Sequence, residues 1–397
     1  MLAIDGGTPV RDEAWPAWPV FEADERDAAA EVLASGRVNY WTGTVGRTFE
    51  QAFADFVGVP HAVAVSNGTV AIELALRGLG IGPGDEVVVP SCTFVATGSA
   101  VLSVGATPVF ADLCERSGNL TPESVVAASS PRTRAVIAVH VGGWPARVRE
   151  LAELCETRGY AFIEDCAQAH GARVEGQSVG SFGDVAAFSF CQDKIMTTAG
   201  EGGMIVVKDT ALARRIWSGK DHGKSWEAVY EREHPPGFRW LHESLGTNAR
   251  MTEVQAAIGL RQLRKLEGWV GRRREHADIL RGALERYPAI WVPKPPSGVR
   301  GAFYRLYARV RPEALADGWT RDRVMVALEA EGLPCRVGSC AEVYRERVFE
   351  HLAPPRLRVA QRLAETALAF TTHPTITPEA LDDAVRAIDK VMAVASR

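Results

Sequence analysis

Long apolar runs, metal-ligand spacings and nucleotide-binding motifs are all missing from this sequence. No stretch approaches the ~20 apolar residues that a membrane span requires. The seven cysteines are odd in number and scattered, with no CxxC pair. Neither a disulfide framework nor a metal site is written in them, and a reduced, cytoplasmic setting is expected. GxGxxG, GxxxxGK[ST] and HExxH are also absent. Net charge is −4, and no block of like charge occurs. Nucleic acid and anionic membrane are therefore not expected partners. The opening segment MLAIDGGTPVRDEAWP has no basic start and no long apolar core, so no signal peptide is expected. Repeats and low-complexity tracts are missing too.

What is present is the material of a globular enzyme. The 397 residues suffice for two or three domains' worth of core, and 46% hydrophobic with 24% charged residues is ordinary for such a chain. Residues 1–45 form an N-terminal arm rich in Pro and Trp, followed by a helix from Glu22 to about Ser35. The loop VNYWTGTVG then carries Tyr40 and Trp41, which read either as aromatics packing on a partner subunit or pocket, or as a surface turn. Residues 46–260 alternate strand and helix. HAVAVS, DEVVVP, TPVFADL, RAVIAVH and YAFIED are short and apolar on both faces, as strands of a mostly parallel, doubly covered sheet must be. Ligands of such a sheet sit beyond the carboxyl ends of its strands. A long charged helix from about Thr252 to Glu285 leads into a smaller α+β domain, residues 261–397.

One lysine stands apart. Lys194 follows the apolar run VAAFSF, precedes the turn AGEGG and a second run, MIVV, and has no other base within ten residues. Ile195 and Met196 adjoin it. A lysine in apolar company loses some preference for its charged form and gains nucleophilicity. The alternative is a lysine snorkelling from a strand end.

Four strand ends carry polar or flat residues of a matching kind. Ser66-Asn67-Gly68-Thr69 lies between a strand and a helix, as a phosphate cradle or simply a helix cap. Asp165 ends YAFIED, where a buried acid needs a cation. Gln168 and His170 follow it. Ser189 sits near the end of VAAFSF and could add a hydroxyl to a phosphate. Phe94 opens a helix after a strand, where an aromatic either stacks on a flat ligand or fills the core. A lysine for an aldehyde, an acid for a ring nitrogen, a Gly-Thr turn and a serine for phosphate, and an aromatic for a ring face together indicate pyridoxal 5'-phosphate.

The blocks SNGTVAIELAL, VPSCTFVATGSA, IEDCAQAHGA, FSFCQDKIMTTAGEGGM and NARMTEVQAAIGLRQL occur in family order, and over roughly residues 20–345 the chain resembles the DegT/DnrJ/StrS-type sugar and cyclitol aminotransferases. The resemblance implies a fold-type I pyridoxal-phosphate-dependent transferase. Its parts would be a mostly parallel seven-stranded sheet domain with helices on both faces, a smaller C-terminal α+β domain, and a homodimer with shared active sites. It makes Lys194 the lysine that binds the cofactor covalently. Asp165 would pair the pyridine nitrogen and Gln168 the ring oxygen. Gly68, Thr69 and Ser189 would hold the phosphate, which Asn248 reaches from the neighbouring subunit. GSCAEVY and the loop Lys220–Leu245 would shape the sugar pocket. The implied reaction moves an amino group from glutamate or glutamine to a keto group of a nucleotide-linked sugar, in surface-glycan or secondary-metabolite (antibiotic) synthesis. The TTAGEGG turn and the AWPAWP start also occur in relatives of an inosose-aminotransferase or aminohydroxybenzoate-synthase kind, which is the alternative. A regulatory protein that keeps the cofactor without turnover is a third reading, opposed by the intact Lys194, Asp165 and Gln168. Around the lysine many relatives read HxTKN; this chain reads CQDKI, which leaves the sugar open. Relatives with histidine for the lysine are dehydratases, so its presence here favours transamination.

Overall fold

Short apolar strands set the architecture. Val87 and Val89 face one core and Val88 the other, all three fully buried. Ala135, Ile137 and Val139 divide from Val136 and Ala138 in the same way. Only a sheet covered on both faces accommodates that pattern. The computed structural model describes residues 1–397. In chain order its first strands are β1 (His61–Val65), β2 (Glu86–Pro90), β3 (Thr107–Ala111), β4 (Thr133–Val139), β5 (Ala161–Asp165), the two-residue β6 (Arg173–Val174) and β7 (Gln177–Ser178), β8 (Val185–Ser189) and β9 (Gly203–Val207). Seven of these form one sheet in the order β1-β9-β8-β5-β4-β2-β3. From β3 to β8 the neighbours run parallel; β9 is antiparallel to both β8 and β1. The mostly parallel, seven-stranded sheet expected from the sequence is therefore present, and VAAFSF and MIVV are paired core strands. In the β5–β8 register Asp165 faces Ala187, two residues before Ser189.

A second sheet is wholly antiparallel. Its strands β10 (Ile290–Trp291), β12 (Arg305–Val310), β14 (Ala367–Thr371) and β13 (Cys335–Arg336) lie in that spatial order, while β11 (Val299–Arg300) pairs with β6. The helices Arg321–Ala330 and Pro378–Ala395 close a separate core on it. The two sheets are joined by the helix Glu253–Leu284, about 48 Å long at 1.5 Å per residue. Thr252 caps it, with Gln255 returning a bond to the cap backbone. The first twenty residues do not form a unit of their own. Leu2 is buried in the small core, the Arg11 N–H donates to the Glu331 carbonyl, and Trp18 Nε1 donates to the Lys194 carbonyl at 2.8 Å.

One expectation is corrected here. Tyr40 and Trp41 are not left bare by their own chain. Tyr40 is buried, its hydroxyl donates to Glu50, and the buried Lys220 ammonium sits 3.7 Å from its ring centre. Trp41 Nε1 donates to Asp221 Oδ2 at 2.8 Å. The glycines of that loop serve an intrachain contact as well. The buried Glu253 carboxylate accepts from the N–H groups of Val45 and Gly46, capping the helix Val45–Val57, and a Cβ at Gly43 would lie 2.2 Å from its Oε2. Lys220 likewise belongs to the helix Thr210–Lys220 rather than to the loop after it.

Candidate active site

The carboxyl ends of β5 and β8 place Asp165 and Lys194 together. Ser189 ends β8, and the turn after it is pinned from within: the Thr197 hydroxyl and the Thr198 N–H both reach the Phe190 carbonyl. Ile195 and Met196 plug into the core, fully buried, which fixes the backbone of Lys194 between them and Trp18. The Lys194 side chain is only 17% exposed. Its Nζ lies 3.8 Å from Asp193 Oδ1 and 5.1 Å from the centre of the Tyr304 ring, and the Tyr304 hydroxyl donates to Asp193.

Asp165 is buried and receives only two hydrogen bonds, from the Thr97 hydroxyl (3.0 Å) and the Ala167 N–H (3.1 Å). No cation lies within ion-pair distance of it. Burial raises its pKa above the usual 3.8; the two hydrogen bonds, then the charge of Lys194, pull the other way without cancelling that. A buried acid held in this state suits a protonated ring nitrogen. Gln168 Oε1 accepts from the Gly142 N–H (2.7 Å), which orients the amide, and Nε2 donates to Ser339 Oγ (3.3 Å). One amide N–H is left over. His170 packs on Phe188 and Phe190, and burial, reinforced by the Lys194 and Arg273 charges, lowers its pKa to about 3, so it is neutral.

The Gly68 turn rests on close approach. Asn67 caps the helix Gly68–Gly78 through the Val70 N–H. A Cβ on Gly68 would stand 2.7 Å from that of Ser189, and one on Gly203 would stand 2.5 Å from the Asn67 carbonyl oxygen. Glycine at both positions brings the Gly68-Thr69 amides against β8 and the Ser189 hydroxyl. Phe94 precedes the helix Val95–Ser103 and is 67% exposed, an aromatic face without a core to fill. Asn248 is also exposed, in the strip that pairs with the end of β1 through Ser66–Ala249 and Val65–Arg250. It lines a wide cleft with Ser66 and Val70, outside the helix that starts at Gly68.

Sequence reasoning missed four contributors: Thr97 on Asp165, Tyr304 and Asp193 on Lys194, and Tyr307, whose hydroxyl holds the Ser339 backbone behind Gln168. Period-two alternation in FYRLYARV was a usable signal for Tyr307, which shares a strand face with Arg305 and Arg309; it gave none for Tyr304, which lies just before the strand. Ser339, in the flagged segment GSCAEVY, does reach the site through Gln168.

A doubly covered α/β sheet with this lysine, acid and glycine turn at its strand ends is the fold of the fold-type I pyridoxal-phosphate-dependent transferases. The chain belongs to the DegT/DnrJ/EryC1/StrS aminotransferase family, whose family model matches residues 19–389. It is 38% identical over 341 residues to a UDP-N-acetyl-3-dehydro-alpha-D-glucosamine 3-aminotransferase of Acidithiobacillus ferrooxidans, covering 85% of this chain and 86% of that one. It is also 38% identical over 346 residues to an L-glutamine:2-deoxy-scyllo-inosose aminotransferase of Streptomyces kanamyceticus, covering 84% and 79%. The crystal structure of an aminotransferase from Psychrobacter cryohalolentis superposes with a TM-score of 0.93 at 45% identity, covering 96% of this chain and 99% of that one. No helix is long and apolar enough to cross a membrane.

Proposed function

We propose that this aminotransferase uses pyridoxal 5'-phosphate to move an amino group from glutamate or glutamine to the keto group of a nucleotide-linked sugar. The observation that carries the cofactor assignment is Asp165, a buried carboxylate with no cation of its own, set at the strand end beside Lys194. The bound cofactor supplies the electron sink for the carbanion formed at the donor's Cα. Asp165 holds the proton on its ring nitrogen. Gln168 gives its spare N–H to the ring oxygen. Gly68, Thr69 and Ser189 bind the phosphate, and Phe94 covers one ring face. Lys194 Nζ would bind the cofactor covalently and would serve as the base that takes the proton from the donor's Cα and the acid that returns it.

The UDP-sugar relative supports the sugar acceptor, and with it a role in carbohydrate synthesis, which we place in the cytoplasm. The inosose relative supports a cyclitol acceptor as the second reading. We place the domain division within the helix Glu253–Leu284, near residue 260. Two chains share their sites in this proposal. Asn248 reaches the neighbour's phosphate, and Phe238, Trp240 and Leu245, each more than three-quarters exposed, are covered by the partner.

Borohydride reduction of the holoenzyme followed by peptide mapping should find the cofactor on Lys194, and Lys194→Ala should bind it only noncovalently and transfer no nitrogen. Label on another lysine contradicts the assignment.

A further inference from the structure

One carboxylate lies within 4.0 Å of the Lys194 amine, and it is not Asp165. Asp193 Oδ1 stands 3.8 Å from Nζ. Asp165, buried and short of a cation, has the greater need of one. The amine lies instead beside Asp193, which is half-exposed and which water alone could satisfy. Asp193 is the acid of CQDKI, where many relatives carry threonine before the lysine.

This carboxylate is not left to water. The Tyr304 hydroxyl donates to it from 111 residues away in sequence, out of the segment that enters β12 of the other sheet. Burial, then the Asp193 charge, raises the Tyr304 pKa, so the phenol keeps its proton and is the donor. Strained backbone aims Tyr304 at this spot. Phe303, just before it, has a φ of 48°, a left-handed conformation that a bulky residue rarely adopts. The Thr372 hydroxyl donates to the Phe303 carbonyl. A Cβ on Gly143 would stand 2.8 Å from the Phe303 nitrogen and 3.0 Å from that of Tyr304, so the strained turn is gripped on two sides. The Tyr304 ring centre is 5.1 Å from Nζ, within cation–π range. The Lys194 charge also acts on Asp165 and on the neutral His170. Two further cations stand behind the pair: the buried Arg273, and Arg305, 5.3 Å from the Tyr304 ring centre.

We infer that Asp193, fixed by Tyr304, is a positioning residue that seats the Lys194 amine whenever that amine is free. The carboxylate draws the ammonium toward itself, and the ring face closes its other side. Seated there, the amine leaves Asp165 open to a ring nitrogen and keeps its proton at one fixed place. Use of the seat during turnover rests on the aminotransferase reading; the seat itself does not.

Acetic anhydride labelling of the full-length, cofactor-free chain reads the seat directly. Every protein compared carries Asp165→Asn, which leaves the amine no second carboxylate to turn to. Lys194 is scored by peptide mass spectrometry against the exposed Lys208. An ammonium does not react, so at about pH 8 adding Asp193→Asn should raise the Lys194 ratio at least about threefold, the scale of one half-exposed ion pair. At about pH 11, where most amines have lost their proton, the gain should vanish. Asp193→Glu should stay near its parent, and Tyr304→Phe, which releases the carboxylate, should lie between. The inference is overturned if Asp193→Asn or Tyr304→Phe labels like its parent, or if Asp193→Glu labels like Asp193→Asn. It is equally overturned if the gain persists at about pH 11, which would mean easier access and not a lost charge. Should Tyr304→Phe fail to fold, the two Asp193 variants, at a half-exposed position, still decide. A wild type whose cofactor absorbance does not change with glutamate would refute the aminotransferase reading and leave the seat standing.

Discussion

Glu164 and Asp165 are consecutive residues at the end of β5, both buried, and they point to opposite faces of the sheet. Glu164 is saturated. Its two oxygens accept from the N–H groups of Gly180, Phe182 and Gly183 and from His140 Nε2, four donors for about four lone-pair positions. His140 Nδ1 accepts from the Ala146 N–H, which puts the ring proton on Nε2, toward Glu164. Burial alone would raise the Glu164 pKa, but His140 and the backbone donors outweigh it and hold it below 4.5. Nothing is left over for the nearby Cys166 thiol or for an ion. Asp165 has two donors, spare lone pairs and a raised pKa. One carboxylate ties a loop to the sheet. The other is left under-satisfied, at a cost to the empty fold, which fits the role proposed for it toward the cofactor's ring nitrogen.

Exchanging each carboxylate for its amide breaks the comparison most sharply. Asp165→Asn should cut turnover by at least about a hundredfold, the scale of losing one preorganised group at the reacting centre. The measurement is the first half-reaction with glutamate, followed by loss of the cofactor's absorbance band. Near-normal turnover would give the ring nitrogen to another acid. The same variant, freed of cofactor, should be at least as stable as wild type at neutral pH. A raised carboxyl pKa means that the native state binds more protons than the unfolded state between 3.8 and the folded value. The Asp165 contribution to stability therefore declines as pH rises through that window, and Asn removes the decline.

Glu164→Gln should do the reverse. An amide turns an NH2 toward backbone donors and strands them, so unfolding free energy should drop by about 3 kcal/mol, read by urea titration. Turnover per folded molecule should change little. The depressed pKa of Glu164 makes its contribution fully present above 4.5 and lost as pH falls through the folded value. A wild-type protein no more stable than Glu164→Gln above pH 5 would contradict this account.

Thr97→Val gives the smallest effect. It removes one donor from Asp165 at nearly constant volume, worth about 1 kcal/mol, and should slow the half-reaction severalfold through a weaker carboxylate. A rate loss as large as that of Asp165→Asn would mean that Thr97 touches the reactants itself.

The split between the two carboxylates was only half legible in the sequence. Asp165 could be picked out because an acid at the tip of an apolar run is anomalous by itself, and Lys194 because no other base stands near it. The sheet was legible for a related reason, since strands apolar on both faces have one home. Thr97 was not legible: it lies 68 residues from Asp165 and meets it only because β2 and β5 flank β4. The Tyr40–Trp41 loop misled for the same reason. Its burial depends on Lys220, Asp221 and Glu253, some two hundred residues downstream, and no local pattern announces such partners. Arg309 stood in plain view, but that its buried Nε has no partner is a property of the folded chain.

The direct measurement is nitrogen-15 magnetic resonance on holoenzyme loaded with ring-labelled pyridoxal phosphate at neutral pH. Wild type and Glu164→Gln should both give the shift of a protonated pyridine nitrogen, and Asp165→Asn that of a neutral one. The same protonated shift in Asp165→Asn, or a neutral shift in wild type, would contradict the role given to Asp165.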